Sequence, residues 1–211
     1  MRLIKSDLDS LHLEVTTRCR IACPKCGRAY ARFKQFINKD MDLEVHNSVV
    51  VSKKYDYILY CGNFGDPIYH PNFLEMIKFT KQNNIPIHIE TNGSGKTNEW
   101  WIELFKMLGK RDRINFNIDG FDNTVGTYRV NFKNKDFEQL VELMKIAKND
   151  YQIEAVWQFI PFNFNEHQIF DAASFAINNG ISFFIRKSFR WSDQDDPLLP
   201  TNKNLSIFRS I

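Results

Sequence analysis

Hydrophobic and polar residues alternate along the chain in short blocks whose period changes repeatedly from two residues to about 3.6 residues and back. Six blocks have the pattern of strands and fall at 11–16, 57–61, 87–91, 114–118, 153–160 and 181–185. Five blocks with helical spacing lie between them: one that follows Asp42, then 73–80, 98–108, 137–147 and 166–179. Such alternation predicts parallel strands joined by right-handed crossovers, and therefore an α/β fold whose sheet is open or curled into a partial barrel.

Polar and charged residues follow the predicted strands at the ends where ligands bind in such folds. They are a cysteine loop after the first strand, then Gly65 and Asp66, Thr91 and Asn92, Asn117 and Asp119, Gln158, and Arg186. Because the carboxyl ends of parallel strands share one edge, these residues are expected to converge on one site. The convergence indicates an enzyme.

Three of the four cysteines, Cys19, Cys23 and Cys26, lie within eight residues of one another. Thiolates at short spacing indicate one shared metal centre. A structural zinc site needs a fourth protein ligand, whereas a four-iron cluster held by three thiolates keeps one iron open. The spacing alone leaves iron–sulfur binding, zinc binding and free thiols open. Cys61 stands alone and is interpreted as a small buried core residue.

Composition places the chain among ordinary globular proteins. Its 211 residues are 43% hydrophobic and 25% charged, and they predict one core domain over 1–190 with a tail of unknown role at 191–211. The formal charge of +3 does not indicate a nucleic-acid partner. Neither a secretion signal nor a membrane span is predicted, which favours a reducing cytoplasm.

Four segments of the chain have a recognisable order: Cys19-x3-Cys23-x2-Cys26, Gly65-Asp-Pro-Ile-Tyr-His-Pro-Asn-Phe73, Thr91-Asn-Gly93, and Asn117-Ile-Asp-Gly120 followed by Tyr128-Arg129. Together these segments resemble the motifs of the radical S-adenosylmethionine (radical SAM) enzymes, closest to the group of peptide maturases and cofactor-synthesis enzymes. They occur in family order between about residues 11 and 185. The resemblance implies a partial (β/α)6 TIM-like barrel, a 4Fe-4S cluster on the three cysteines, and SAM as the second cofactor.

The resemblance also implies roles for individual residues. The turn at Phe64, Gly65 and Asp66 would bind the methionine amine of SAM, and Asn92 would belong to the same pocket. Asn117 would contact methionine or ribose, Arg129 the carboxylate, and Gln158 the adenosyl group. The reaction would be reductive cleavage of SAM to a 5′-deoxyadenosyl radical that abstracts hydrogen, with flavodoxin or ferredoxin as the electron donor.

The sequence departs from the family pattern at several positions. Lys25 stands where an aromatic or apolar residue is usual, Phe64 replaces a glycine and Asp66 replaces a glutamate. No cysteine follows Cys61, so the auxiliary clusters of many peptide maturases are not expected.

The substrate stays open between a peptide or protein side chain, which the motifs favour, and a nucleoside or small cofactor precursor. A non-catalytic metal-binding module is a further alternative. The five histidines share no metal-ligand spacing and are interpreted as structural. The basic segment 28–39 is interpreted as a solvated loop, with an anion or acidic peptide as the alternative.

Overall fold

The computed structural model describes residues 9–29, 35 and 38–206. Strands and helices alternate throughout this part of the chain, and each predicted block is confirmed in its type. The elements are β1 (Ser10–Leu13), α1 (Leu43–Val50), β2 (Tyr57–Tyr60), α2 (Phe73–Gln82), β3 (Ile87–Thr91), α3 (Asn98–Met107), β4 (Arg113–Asn117), α4 (Asn134–Tyr151), β5 (Glu154–Phe159), α5 (Ile169–Asn178) and β6 (Ser182–Ile185).

The six strands form one parallel sheet in which each strand pairs with the next in sequence. The sheet is strongly curled, as one contact demonstrates. Arg186 directly follows β6, yet its Nη2 lies 3.4 Å from Oε1 of Glu90 on β3. Three strand spacings amount to about 14 Å in a flat sheet, which is too far for an arginine side chain to span. The inner face of the curved sheet is therefore a concave site.

The two faces of the sheet differ in chemistry because successive side chains of a strand point to opposite sides. Ile58, Ile89 and Phe116 are fully buried on the outer face against the helices. Trp101 and Leu104 of α3 are equally buried in the same core. Removing this apolar surface from water stabilises the fold at about 25 cal/mol per Å². The inner face is left for polar side chains.

Local capping explains where some helices begin. Oδ1 of Asp42 accepts a hydrogen bond from the backbone N–H of Glu44 at 2.7 Å, so the predicted start of α1 is confirmed. The side chain of Asn72, a predicted cap of α2, makes no capping hydrogen bond. Instead, Nδ1 of His70 accepts from the backbone N–H of Asn72 at 3.0 Å.

The predicted inward face of α5 is wrong in one respect. Helical spacing in the sequence predicts Ile169, Ala173, Ala176 and Ile177 on the inward face, but 71% of the surface of Ile177 is exposed. Ala176, as predicted, and Ala172 are fully buried and define the face that packs on the core. At 3.6 residues per turn, Ile177 lies about 100° around the helix from Ala176 and about 140° from Ala172, outside this face.

The segment after β6 runs back over the carboxyl ends of the strands. Glu166 accepts hydrogen bonds from the backbone N–H groups of Thr201 at 3.0 Å and Asn202 at 3.2 Å. The N–H of Asn163 donates to the carbonyl of Leu198 at 3.2 Å. These bonds fix the described part of the predicted tail on the core.

Most of the basic segment 28–39, namely residues 30–34, 36 and 37, lies outside the described residues. Within the described residues, the helices are all too short or too polar to cross a bilayer.

Candidate active site

A cavity of ≈ 480 Å³ opens at the carboxyl ends of the strands. Its volume lies in the range of small-molecule sites. Most of the predicted site residues line it together: Cys19, Cys23, Cys26, Gly65, Asp66, Asn92, Asn117, Arg129 and Gln158. Phe64 is the exception. Its ring packs on the cysteine loop instead, where a Cβ on Gly27 would lie 3.0 Å from Cε1 of Phe64.

The cysteine loop folds back on itself through backbone hydrogen bonds. The N–H of Cys26 donates to the carbonyl of Cys23 at 3.1 Å, and the N–H of Ala29 donates to the carbonyl of Cys26 at 2.9 Å. Nη1 of Arg28 donates to the carbonyl of Cys19 at 3.0 Å and ties down the start of the loop. These bonds turn three sequence-close thiols toward one cavity.

The thiols of the loop are free and partly buried. Burial raises the pKa of Cys19 to about 12 and that of Cys23 to about 11. Without a metal both thiols are therefore protonated at neutral pH. Because thiolates are the ligands, binding of a metal at this loop releases protons.

The spacing of the thiols bears on the kind of metal centre. Among the described residues, no three side chains of Cys, His, Asp or Glu converge closely enough to hold a single ion. In a four-iron cluster each thiolate binds a different iron, so the sulfurs need to surround a shared space rather than meet at one point. Three thiols around one cavity fit a cluster of this type.

Gly65 lies where the chain after β2 passes directly over the start of the cysteine loop. A Cβ at this position would lie 2.0 Å from the carbonyl oxygen of Thr16, which no other residue type allows. The N–H of Asp66 donates to the carbonyl of Arg18 at 2.9 Å in the same crossing. Glycine is therefore required here so that two strand ends can approach one another at the cavity.

The carboxylate of Asp66 holds two strand ends together. It accepts from Oγ1 of Thr91 at 2.8 Å and from the backbone N–H of Asn92 at 2.6 Å, and the side-chain amide of Asn92 also donates to it. Burial raises the pKa of Asp66 to about 6. Nδ2 of Asn92 lies 3.6 Å from Sγ of Cys19. Asp66 thus connects the turn after β2 to the cysteine loop through Asn92.

A polar network forms the floor of the cavity around Glu90 of β3. Oε1 of Glu90 accepts from Nδ2 of Asn115 at 2.6 Å. Its Oε2 accepts from Nδ2 of Asn117 and from Nε2 of Gln158, both at 3.2 Å. Gln158 also donates to Oδ1 of Asn117, its neighbour in the register of β4 and β5. The network fixes the orientation of both predicted SAM contacts.

Glu90 was not among the predicted site residues, although the sequence carries a signal for it. The period of two in Ile87-His-Ile-Glu-Thr91 puts Glu90 on the same face as His88 and opposite the apolar positions. A glutamate on the inner face of a strand needs hydrogen-bond donors, and the asparagine and glutamine side chains of β4 and β5 supply them.

Arg129 is held at the wall of the cavity by Asp119. Nη2 of Arg129 lies 2.6 Å from Oδ2 of Asp119, whose Oδ1 accepts from the backbone N–H of Ile160 at 3.0 Å. Asp119 therefore positions the arginine. The neighbouring Tyr128 stacks on Phe162 with ring centroids 4.3 Å apart.

Two buried polar atoms at this cavity suit a polar ligand. Oε1 of Gln158 and Nε of Arg129 have no hydrogen-bond partner among the described residues. A buried polar atom without a partner costs about 1–3 kcal/mol, and a bound ligand can remove this penalty. One is an acceptor and the other a donor, which matches a zwitterionic cofactor. The residues present therefore fit SAM beside a cluster.

The structure assigns a contact to Lys25, for which the sequence predicts no role, and corrects the interpretation of Cys61. Nζ of Lys25 lies 2.5 Å from Oδ2 of Asp196 and 3.1 Å from Oγ of Ser192, in the segment after β6. Cys61 is half-buried and lines the cavity, so its interpretation as a core residue is wrong. Its strand ends at Tyr60, which is fully buried in the core, and Cys61 faces the opposite side together with Leu59.

Comparison with known proteins identifies the class that this fold and cavity define. The family model of the radical SAM superfamily matches residues 13–174, and the chain belongs to this superfamily. Members of the superfamily are enzymes that use a 4Fe-4S cluster and SAM, so the cofactor class expected from the sequence is confirmed.

The chain is also similar to individual proteins. The chain is 30% identical over 112 residues to the tungsten-containing aldehyde ferredoxin oxidoreductase cofactor-modifying protein of Pyrococcus furiosus, covering 52% of this chain and 30% of that protein. Among solved structures it resembles SuiB of Streptococcus suis bound to the precursor peptide SuiA, with a TM-score of 0.66 and 14% identity over 83% of this chain and 38% of that one.

It also resembles anSMEcpe with bound AdoMet, with a TM-score of 0.63 and 15% identity over 90% of this chain and 55% of that one. These likenesses confirm the partial-barrel fold. The chain spans between about a third and just over half the length of these proteins.

Proposed function

We propose that this protein holds a 4Fe-4S cluster on Cys19, Cys23 and Cys26, and that it cleaves SAM reductively so that the resulting radical abstracts hydrogen from a substrate. The observation that carries the proposal is the shared cavity: three free thiols face the predicted SAM contacts across it. When bound, the cluster and SAM supply the electron transfer and the 5′-deoxyadenosyl radical. The protein supplies binding, orientation and shielding.

Different residues of the chain bind different chemical groups of SAM. Backbone carbonyls around Gly65 accept from the methionine amine, since the close crossing of Gly65 over Thr16 holds this turn at the cavity beside the cysteine loop. Arg129, held by Asp119, offers its remaining N–H groups to the carboxylate. Asn117 donates to methionine or ribose, and the unpaired Oε1 of Gln158 accepts from the adenosyl group. Asp66 and Asn92 fix the turn against the cysteine loop.

A radical reaction requires that water and stray hydrogen donors stay away from the reacting atoms. Apolar side chains close one side of the cavity, among them Ile21, Ile160 and Phe162. Phe162 is fixed between Tyr128 and Trp191, with ring centroids 4.3 and 6.0 Å away. These aromatic contacts support an apolar wall on this side of the cavity.

The substrate that we favour is a peptide or protein side chain. SuiB and anSMEcpe, whose folds this chain shares, have structures with bound peptides. A small cofactor precursor is the second candidate, because the relative from Pyrococcus furiosus is named as a cofactor-modifying protein. A nucleoside belongs to the same alternative of small substrates.

The remaining parts of the proposal follow from this chemistry. A one-electron reductant such as flavodoxin or ferredoxin delivers the electron to the cluster. Free thiols require a reducing compartment, which favours the cytoplasm. The catalytic core comprises residues 1–190, and the segment 191–211 accompanies it.

Anaerobic reconstitution with iron and sulfide tests the proposal. The reconstituted protein is expected to bind about four irons per chain. It is expected to release 5′-deoxyadenosine from SAM after reduction with dithionite. The matched control is the variant in which all three loop cysteines are replaced by alanine, whereas Cys61→Ala should keep its iron. Zinc at one equivalent, or no 5′-deoxyadenosine from the iron-loaded protein, contradicts the proposal and favours a non-catalytic module.

A further inference from the structure

The wall of the cavity carries an excess of positive charge. Five cationic side chains line it, and only two carboxylates do so. The cations are Arg28, Arg129, Arg186, Lys187 and Arg190, and the carboxylates are Asp66 and Glu90. Cavities lined mainly by charges of one sign attract ligands of the opposite sign.

Ion pairing within the protein removes only part of this excess. Arg129 pairs with Asp119, and Arg186 lies 3.4 Å from Glu90. Among the ion pairs that the described residues form, none involves Arg28, Lys187 or Arg190. Three positive charges are therefore left without a carboxylate partner in the described part of the chain.

The cofactors of the proposed reaction do not neutralise the excess. A four-iron cluster with three thiolate ligands is a monoanion when oxidised and a dianion when reduced, and SAM at neutral pH is a monocation. Loading both therefore changes the net charge by at most one negative unit, which is less than the excess. Arg28 contacts the backbone of Cys19 and lies beside the cluster ligands. Three further cations of the cavity wall, Arg186, Lys187 and Arg190, lie together in the segment after β6, and we call them the mouth cluster. Arg186 pairs with Glu90, whereas Lys187 and Arg190 have no carboxylate partner among the described residues.

The mouth cluster is held in place by hydrogen bonds. The N–H of Arg186 donates to the carbonyl of Phe159 at 2.9 Å, which extends the pairing of β5 and β6 by one residue. Ser188 accepts from the N–H of Arg190 at 3.2 Å and from Nε1 of Trp191 at 3.1 Å. The backbone that presents the three cations is therefore ordered before any ligand binds.

Arg190 also reaches across the mouth. Its Nη2 donates to Oδ1 of Asn63 at 3.1 Å, and Asn63 follows β2 on the opposite side of the opening. Lys187 makes no such contact and is exposed at the rim. The two side chains therefore differ: Arg190 is held by Asn63, whereas Lys187 is open to solvent.

We propose that the mouth cluster binds carboxylates of an acidic peptide segment next to the residue that reacts, so that the substrate is an anionic peptide. This inference rests on the proposed function and names the class of its substrate. The three cations of the mouth cluster can neutralise about three phosphates, fewer than the roughly 6–10 contacts of a strongly salt-dependent nucleic-acid binder. Phe189, 47% exposed between the cations, offers an apolar contact to a peptide side chain.

Fluorescence anisotropy of the anaerobically reconstituted protein with SAM tests this inference. The probes are short fluorescein-labelled peptides of alternating Glu and Ala, the same peptide with Lys in place of Glu, and an oligouridylate of equal charge. We expect the Glu peptide to bind and the Lys peptide not to bind. Added salt should weaken the binding of the Glu peptide, because the contacts are exposed.

Two charge reversals locate the site. Lys187→Glu is expected to weaken binding of the Glu peptide about fivefold. The matched control is Lys110→Glu, an equally exposed lysine before β4 at the opposite end of the strands, and it should leave binding unchanged. Equal losses in both variants, or tighter binding of the oligouridylate than of the Glu peptide, would overturn the inference.

The assay also separates this inference from the proposed function. If 5′-deoxyadenosine forms but the Glu peptide does not bind, the acidic-peptide inference fails and the radical SAM reaction stands. If the Glu peptide binds in a manner that depends on Lys187 but no 5′-deoxyadenosine forms, the mouth cluster is supported as an anion site and the proposed function fails.

Discussion

Lys25 of the cysteine loop and Asp196 of the segment after β6 form an ion pair with Nζ and Oδ2 2.5 Å apart. The side chain of Asp196 is fully buried, and it also accepts from the N–H and Oγ of Ser192 at 2.8 and 2.7 Å. Lys25 stands between Cys23 and Cys26. The pair therefore ties the loop that is proposed to hold the cluster to a segment 171 residues further along the chain.

Removing Asp196 should loosen the cysteine loop. Breaking a buried ion pair leaves its partner charge uncompensated, so Asp196→Ala should lower the free energy of unfolding of the metal-free protein by about 3 kcal/mol. It should also speed the loss of iron from the reconstituted protein to a chelator. Urea unfolding and the bleaching of the cluster absorbance measure the two effects.

A second ion pair of the same length provides the control. Nζ of Lys53 lies 2.5 Å from Oδ1 of Asp9, but both side chains are about half exposed. Asp9→Ala should leave iron retention unchanged, because exposed pairs contribute little. Iron loss at the wild-type rate in Asp196→Ala would mean that the pair does not support the loop.

The ion pair of Lys25 and Asp196 should make the stability of the fold depend on pH. Burial opposes ionisation of Asp196, but hydrogen bonds from Lys25 and Ser192 outweigh it and hold its pKa well below the usual value of 3.8. The carboxylate of Asp196 therefore takes up a proton more readily in the unfolded chain than in the folded protein. Its contribution to the free energy of unfolding is complete above pH 3.8 and is lost as the pH falls below that value.

Urea unfolding of the metal-free protein at several pH values measures this contribution. The difference in free energy of unfolding between wild type and Asp196→Asn should be largest at neutral pH and should decrease below about pH 4. A gap that stays constant down to pH 3 would rule out ionised Asp196 as its source.

Arg129→Lys tests the proposed carboxylate contact of SAM. Lysine keeps the charge beside Asp119 but loses the planar fork of N–H groups. We expect affinity for SAM to fall about tenfold, while iron content stays that of the wild type because Arg129 is not a cluster ligand. Equilibrium binding of labelled SAM gives the affinity; an affinity equal to that of the wild type would remove Arg129 from the SAM site.

Glu90 should act on SAM through its neighbours. Glu90→Ala removes the acceptor that orients Asn117 and Gln158, so affinity for SAM should fall severalfold with iron content intact. His88→Ala, on the same face of the same strand, is the matched control and should bind SAM like the wild type, because His88 stacks on Tyr57 away from these amides. Equal effects of the two substitutions would point to general damage to β3.

Much of the fold was predictable because it rests on local periodicity. Alternation at Ile87–Thr91 defines a strand, and Asp42 marks the start of α1. Most of the cavity wall was also predictable from the cysteine spacing and from the polar residues at strand ends, because the carboxyl ends of parallel strands lie along one edge of the sheet. Cys61 was misjudged because a residue just past a strand end can face either way.

Contacts between distant segments could not be predicted. The curl that brings Arg186 to Glu90 depends on the summed twist of the strands, and no local pattern records it. The pairing of Lys25 with Asp196 joins two charged residues that have many alternative partners in sequence. The exposure of Ile177 was missed because the buried face of α5 is centred on the small residues Ala172 and Ala176, whereas the hydrophobic pattern favoured the larger Ile177.

The most direct test of the account is electron paramagnetic resonance of the reduced, reconstituted protein with and without SAM. If three cysteines hold a four-iron cluster with one open iron, SAM binds that iron and changes the spectrum. The account predicts a reduced-cluster signal that shifts on addition of SAM in the wild type and is missing when Cys19, Cys23 and Cys26 are replaced by alanine. A cluster signal that SAM leaves unchanged would contradict it.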